Sequence, residues 1–385
     1  MSNEPHIGID LRMYSMAGIG RYLQNLLPGL IPRLNASRIL ILGKSEDLAN
    51  ESWMSDPRIQ FRKFSSRIFS AGEQWASSTG KYRTIDLLWV PQYNVPLLYR
   101  GKLVVTIHDL CQLAYPETLG SELQRHYSRY LLVQVAKRAT KILCVSEFTA
   151  MAVQKHLKVE MERIIVTYPP IAKMSSKSIT VQAPLCSSPF LLAVGNIKKH
   201  KNLPRLIAAF DRIRNQIPHD LIVVGKQDGF RNAETHLSGV STDLGGRVRF
   251  TGHVSDLELQ RYYKEAGALI FPSFYEGFGF PLVEAMLAGC PIACSNVSSL
   301  PEVAGDAALL FNPFSVEDIA GALSRIATDT ALRSALVERG RHRVKQYAGD
   351  SCAERTAAVI NFLSEEDRNR INKRGRSNRS EQASE

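Results

Sequence analysis

The sequence predicts an α/β protein built from two doubly wound domains, each on its own parallel sheet. Three observations predict it. Short apolar runs rich in β-branched residues alternate with longer helical patterns, as successive βαβ units require. The series of runs begins afresh near residue 190, after a Pro-, Ser- and Lys-rich stretch from Pro169 to Pro189 that lacks helical periodicity. The chain of 385 residues is also too long for one ordinary hydrophobic core.

Taken in order, the first strands read "HIGIDLR", "ILILG", "DLLWVP", "KLVVTIHD", "KILCVS" and "RIIVTYPP". The second set reads "PFLLAVGN", "DLIVVGK", "RVRFTG", "GALIFPS" and "CPIACSN". This puts a first domain at residues 1–170, a linker at 171–189 and a second domain at 190–350. "SCAERTAAVINFL" predicts a helix at 351–364, long enough to pack back across both domains. Residues 365–385 have almost no apolar side chain and read as a disordered tail.

Composition narrows the class. A 44% hydrophobic and 22% charged chain has the balance of a folded soluble protein. No run of about 18 apolar residues is present, and "MSNEPHIGID" is polar where a signal peptide needs an apolar core, so a cytoplasmic location is expected. The six cysteines, Cys111, Cys144, Cys186, Cys290, Cys294 and Cys352, form no CxxC or Cys/His pattern. They read as reduced packing residues, which argues against a zinc site or a disulfide framework. The net charge of +11 is uneven: residues 1–190 hold 23 Lys and Arg against 14 Asp and Glu, the remainder 25 against 23. A basic first half suits a polyanionic partner such as nucleic acid, an anionic membrane face or a phosphorylated acceptor. It is equally compatible with a merely soluble basic protein.

Open parallel sheets bind ligands at the carboxyl ends of their strands, so the loops there are the places to look for chemistry. After "IGID", Gly18 and Gly20 precede a helix whose first turn carries Arg21. Glycines allow close backbone approach and a helix start offers amides, a combination that favours a phosphate or a sugar hydroxyl; a plain tight turn has the same pattern. "KLVVTIHDL" ends in His108 and Asp109. A lone histidine at a strand end is more often structural than catalytic, but this one stands at a carboxyl end. "LLAVGNIKKHKNLPRLIAAF" places Gly195 at a turn, with Lys198, Lys199, His200, Lys201 and Arg205 around a helix start. Cations there oppose the helix dipole, which makes sense chiefly if an anionic ligand such as a diphosphate neutralises them.

In "FPSFYEGFGFPLVEAMLAGCP", a buried strand leads to the loop "YEGFG" and then to a helix with Pro281 near its first turn. Glu276 and Glu284 enclose seven residues, with Gly277 and Gly279 just after the first. Glu284 is expected about two turns on from the glycines. Such a carboxylate pair can accept hydrogen bonds from several sugar hydroxyls, while the amides hold phosphate. Helix-dipole stabilisation alone would explain Glu284 but not the Gly-Phe-Gly between.

The stretch "EGFGFPLVEAMLAGCPIACSNVSSLPEVAGDAALLFNP" resembles the glutamate, seven residues, glutamate motif of the retaining glycosyltransferases of family four. "IGIDLRMYSMAGIGRYLQNLL", "VVTIHDL", "ILCVSEFT", "VGNIKKHKNLPRLIAAF" and "LIVVGK" are similar to the family's other landmarks, in its order, over about residues 6–350. The resemblance implies the GT-B architecture, two Rossmann-like doubly wound domains facing one cleft. It implies that Glu276 contacts the donor sugar and Glu284 the ribose hydroxyls. The amides of Gly277, Phe278 and Gly279 would hold sugar and diphosphate oxygens, and Lys201 would neutralise the leaving diphosphate. Gly18, Gly20 and His108 would come from the first domain, with Gly195 at the donor loop, while Ser298, Ser299 and Glu302 would shape the pocket. Where the family commonly has an arginine, this chain has His200; Lys198 or Lys199 would supply that charge, or the phosphate contact would depend on pH near the histidine pKa. No DxD sequence occurs, so no metal and no cofactor are expected.

The overall look is that of bacterial enzymes of O-antigen or exopolysaccharide synthesis. It implies a nucleotide-sugar donor, GDP-mannose first and a UDP- or dTDP-sugar otherwise, and a glycan or lipid-diphosphate-linked acceptor met at the inner membrane surface. The segment from Arg62 to Trp75 is the candidate membrane contact, with a plain surface helix as its alternative. Two other classes compete. One is a nucleic-acid-binding protein, suggested by the charge and by "NKRGRSNRS"; no nucleic-acid motif is present and aromatic residues do not interleave with the tail's charges, so no nucleic-acid partner is expected. The other is an inactive subunit that still binds a nucleotide sugar, which the presence of both glutamates and Lys201 opposes.

Overall fold

The computed structural model describes residues 5–16, 18–64, 66, 73, 74, 82, 84–116, 121–171, 184–225 and 244–382, with 367–382 as backbone. The chain forms two units. One comprises Met1–Leu113, Leu119–Pro170 and Gly349–Glu385, the other Ala114–Thr118 and Ile171–Ala348.

The first unit holds β1 (His6–Asp10), β2 (Arg38–Gly43), β3 (Ile59–Lys63), β4 (Leu87–Val90), β5 (Lys102–Ile107), β6 (Lys141–Cys144) and β7 (Ile164–Val166). They form one sheet in the order β3-β2-β1-β4-β5-β6-β7, with every pairing parallel. Its central strands are apolar on both faces, as a sheet sandwiched between helices must be; all four residues of β4 are buried. The second unit holds β8 (Phe190–Val194), β9 (Asp220–Val224), β10 (Val248–Gly252), β11 (Ala268–Phe271), β12 (Ile292–Ser295) and β13 (Leu309–Phe311), ordered β10-β9-β8-β11-β12-β13 and again parallel. The two α/β doubly wound sheets are those expected from the sequence. Each order reverses beside its first strand, between β1 and β4 and between β8 and β11. Loops leaving neighbouring strands diverge there and open a crevice at the carboxyl ends.

Two strands lie outside the sequence reading. β3 and β13 are sheet edges with partly exposed residues; β3, "IQFRK", has no continuous apolar run, and β13, "LLF", is only three residues long.

The end of the chain also differs from expectation. The last helix, Ser351–Gln382, belongs to the first unit alone. Cys352, Ala357 and Ile360 are buried in it, Lys102 Nζ donates to Leu363 O at 2.6 Å, and Asn361 Nδ2 donates to Arg33 O at 2.9 Å. Its backbone stays helical to Gln382, through residues expected to be disordered. That stretch contains no proline, and its arginines and glutamates are good helix formers even where no apolar face exists. Most of the Arg62–Trp75 segment and residues 172–183 of the linker lie outside the described residues.

Candidate active site

The second unit concentrates its polar groups at the switch point between β8 and β11. β8 runs into Gly195, at φ 146°, and then into a short 3₁₀ turn, Lys199–Lys201. The next residue, Asn202, is buried and left-handed at φ 58°, a conformation asparagine tolerates better than most residues. Its side-chain amide donates to Pro272 O at 3.1 Å and Pro313 O at 2.8 Å, tying this loop to those after β11 and β13. The Phe274 N–H donates to His200 O at 2.8 Å. Held in this way, Lys201 brings its Nζ to 2.5 Å from Glu276 Oε1.

The loop bearing Glu276 is fastened from the far side. Its N–H donates to Ser298 Oγ at 3.2 Å, and the buried Ser299 hydroxyl donates to Glu276 O at 2.9 Å and Phe278 O at 3.1 Å. Ser298 and Ser299 thus shape the loop through its backbone. The helix Phe280–Ala288 starts at Gly279, at φ 99°, and no side chain caps that end. A Cβ on Gly279 would come within 2.8 Å of Leu300 Cδ2, a side-chain methyl that would have to shift, and the left-handed φ itself favours glycine there. Glu284 is the fifth residue of this helix, little more than one turn in, because Gly277 and Phe278 precede the helix. The Tyr263 hydroxyl donates to Glu284 Oε2 at 2.8 Å. Sequence reasoning missed Tyr263, which lies 21 residues away with no local spacing to mark it. It also missed Asn202, although Asn before Leu-Pro is a helix-start signal.

The cations around Lys201 are less uniform than their spacing suggests. Lys198 and Lys199 are exposed, and the Arg205 guanidinium lies 5.2 Å from the centroid of the Phe274 ring. Lys201 is paired with Glu276 within the chain. His200 departs from one expectation. Burial, then the neighbouring Lys201, push its pKa down to about 4; Lys198 adds to this and Glu276 opposes it. The ring is therefore neutral near pH 7 and has no titration near the ordinary histidine value. Its Nδ1 is buried without a hydrogen-bond partner.

In the first unit, Gly18 begins the helix Ile19–Leu30 at φ 77°, and no side chain caps that end either. A Cβ on Gly20 would stand 2.3 Å from Tyr14 O. The third predicted residue of this unit, His108, directs Nε2 at Pro91 O, 2.9 Å away at the end of β4. The carbonyl can only accept, so Nε2 carries the proton. The Tyr22 ring meets the imidazole edge-on with centroids 4.9 Å apart. Burial pushes the His108 pKa down to about 4, against the opposing bond to Pro91. Asp109 Oδ1 accepts from the Cys111 N–H at 2.8 Å and so serves the turn that follows. Among the described residues, no group of three or more His, Cys, Asp or Glu is placed to hold a metal ion.

Residues 16–172 match Glycosyltransferase Family 4, and residues 182–343 match Glycosyl transferases group 1. O-antigen chain mannosyltransferase B from Escherichia coli is 30% identical over 274 residues, 68% of this chain and 71% of that protein. The chain belongs to the family four glycosyltransferases. The O-antigen chain mannosyltransferase RfbU of Salmonella typhimurium is 30% identical to this glycosyltransferase over 233 residues, 60% of this chain and 62% of that one. HepE from Anabaena, solved in complex with UDP-glucose, matches it with a TM-score of 0.70 at 17% identity, covering 94% of this chain and 98% of that one. That likeness is one of fold, and the glycosyltransferase has the GT-B fold of two parallel-sheet domains. Its Lys201, Glu276, Glu284, Ser298 and Ser299 lie in the group 1 match, and Gly18, Gly20 and His108 in the family four match.

Proposed function

We propose that this glycosyltransferase is a retaining hexosyltransferase that moves mannose from GDP-mannose to a glycan or lipid-diphosphate-linked acceptor in cell-surface polysaccharide synthesis. The observation that carries this reading is the grouping of Lys201, Glu276 and the uncapped start of the Phe280–Ala288 helix at one switch point, with Glu284 inside that helix. In the reaction the bond from the anomeric carbon to the phosphate oxygen breaks, and negative charge grows on the diphosphate. Lys201 and the helix start meet that charge as it develops, which stabilises the transition state more than the ground state. Glu276 binds the sugar, and Glu284 binds the ribose. The acceptor oxygen bonds to the anomeric carbon on the face the phosphate leaves, and its proton goes to the departing phosphate. No general base and no metal is assigned. For Gly18, Gly20 and His108 the proposal is a part in substrate binding by the first unit.

The mannosyl choice rests on the two O-antigen mannosyltransferases at 30% identity. Work at the inner membrane face rests on the basic first half of the chain. No helix among the described residues is long and apolar enough to cross a membrane.

The test is thermal stabilisation by GDP-mannose, UDP-glucose, UDP-N-acetylglucosamine and dTDP-rhamnose, on the unchanged chain and on Glu284→Ala. At 100 times its Kd, the correct donor adds about 2.7 kcal/mol of stability. A shift with GDP-mannose that Glu284→Ala abolishes is the expected result. A shift with another donor keeps the enzyme class and overturns the sugar, and no shift with any donor overturns the donor site itself.

A further inference from the structure

We propose that Tyr263 is a positioning residue for Glu284, fixing the carboxylate against which the ribose of the donor is read. The inference rests on the reading above, in which Glu284 receives the ribose hydroxyls.

Tyr263 sits in the last turn of the helix Asp256–Glu265 and is 2% exposed. A capping box holds the start of that helix: Ser255 Oγ accepts from the Glu258 N–H, and Glu258 Oε2 accepts from the Ser255 N–H. The Ala266 N–H closes its end on Tyr262 O at 3.0 Å. The tyrosine hydroxyl is thus delivered by a helix fixed at both ends, on a ring with only two torsions. It donates to Glu284 Oε2 at 2.8 Å, a charge-assisted bond of the stronger kind.

A buried tyrosine hydroxyl needs a partner, and a backbone carbonyl would satisfy it equally well. Here a hydroxyl is committed to the one carboxylate in a helix whose neighbouring positions Leu282, Val283, Ala285 and Met286 are all buried and apolar. Left to itself, a glutamate side chain surrenders rotamer freedom when a ligand orders it. The tyrosine bond meets part of that cost before the ligand arrives. A carboxylate has about four lone-pair positions, so accepting one hydroxyl leaves it able to accept from a sugar diol. Tyr263 therefore governs how well the site distinguishes a ribose from a sugar lacking those hydroxyls.

The experiment uses the full chain and measures the Kd of GDP and UDP, and of their 2′,3′-dideoxy analogues, for the unchanged protein, Tyr263→Phe, Glu284→Gln and the double variant. Tyr263→Phe keeps the buried ring, and Glu284→Gln reads the same contact from its other end should the first variant fold poorly. The expected result is that Tyr263→Phe weakens the ribonucleotide by about fivefold to tenfold, leaves the dideoxy analogue unchanged, and adds nothing on top of Glu284→Gln. If Tyr263→Phe changes both nucleotides equally or neither, while Glu284→Gln still abolishes the preference for ribose, the positioning role is overturned and the donor site stands. If the unchanged protein binds neither GDP nor UDP, the donor reading falls and this inference falls with it.

Discussion

Lys201 Nζ and Glu276 Oε1 lie 2.5 Å apart, so the cation and the carboxylate that flank the second unit's switch point hold each other in place. Their side chains are only 18% and 14% exposed, and each therefore depends on the other for its burial.

Removing one partner leaves the other charge partly buried and alone. Lys201→Ala should lower unfolding free energy by about 1–3 kcal/mol, and the double variant Lys201→Ala/Glu276→Ala by less than the sum of the two singles. Sugar transfer should fall on the order of 10²–10³-fold for Lys201→Ala, the loss expected when one stabilising group is taken from developing negative charge. Urea unfolding and initial rates of transfer read the two effects separately; strict additivity in stability would mean that the two side chains are not coupled.

The histidines set an acid limit on the fold. His200 and His108 each titrate near 4 in the folded chain, against about 6.5 when unfolded. Well above pH 6.5 both are neutral in both states and stability is unaffected. Between pH 6.5 and 4 the unfolded chain takes up protons that the fold refuses, so stability should fall by up to about 1.4 kcal/mol per pH unit for each histidine. Melting temperatures at pH 7, 6 and 5 test this, and His200→Asn should flatten the slope by one group's share.

Gly20 should not tolerate a side chain. The alanine methyl would stand 2.3 Å from a backbone carbonyl, that of Tyr14, which cannot swing aside as a side chain would. Gly20→Ala should cost about 1–3 kcal/mol in chemical denaturation. Gly18→Ala meets open space and is opposed only by its φ of 77°, so its cost should stay near 1–2 kcal/mol.

The first unit contains a buried charge cluster in which the Arg12 guanidinium donates to both carboxylate oxygens of Asp10 and, at 2.5 Å, to Glu73 Oε1. Burial raises the Glu73 pKa while Arg12 holds it down. Arg12→Met would strand two acids, so a loss of about 3–5 kcal/mol is expected at pH 7. The loss should be smaller at pH 5 than at pH 7, because burial favours the neutral form of the Glu73 carboxyl and so lessens one stranded charge as pH falls. Urea titrations at the two pH values decide it.

Much of this architecture was legible because both sheets are buried on both faces, which writes strands such as "LLWV" and "ALIF" as unbroken apolar runs. β3 was not, because "IQFRK" mixes polar and charged residues with apolar ones, nor was β13, only three residues long. The positions of Glu276, Glu284 and Lys201 were legible as a pattern of residue types. The pairing of Lys201 with Glu276 was not, because it joins residues 75 apart, and neither was the neutrality of His200, which comes first from burial and only then from Lys201 and Lys198 beside it.

The last helix adds a matter of timing. The second unit, Ala114–Thr118 and Ile171–Ala348, is complete before Ser351 is added, whereas the sheet formed by β1 to β7 lacks the buried side chains of Cys352, Ala357 and Ile360 until residues beyond that unit are made. During synthesis the first sheet therefore lacks part of its cover while the second unit is made, and a shortened transcript that ends before Ser351 should leave the second sheet sound and the first unfinished.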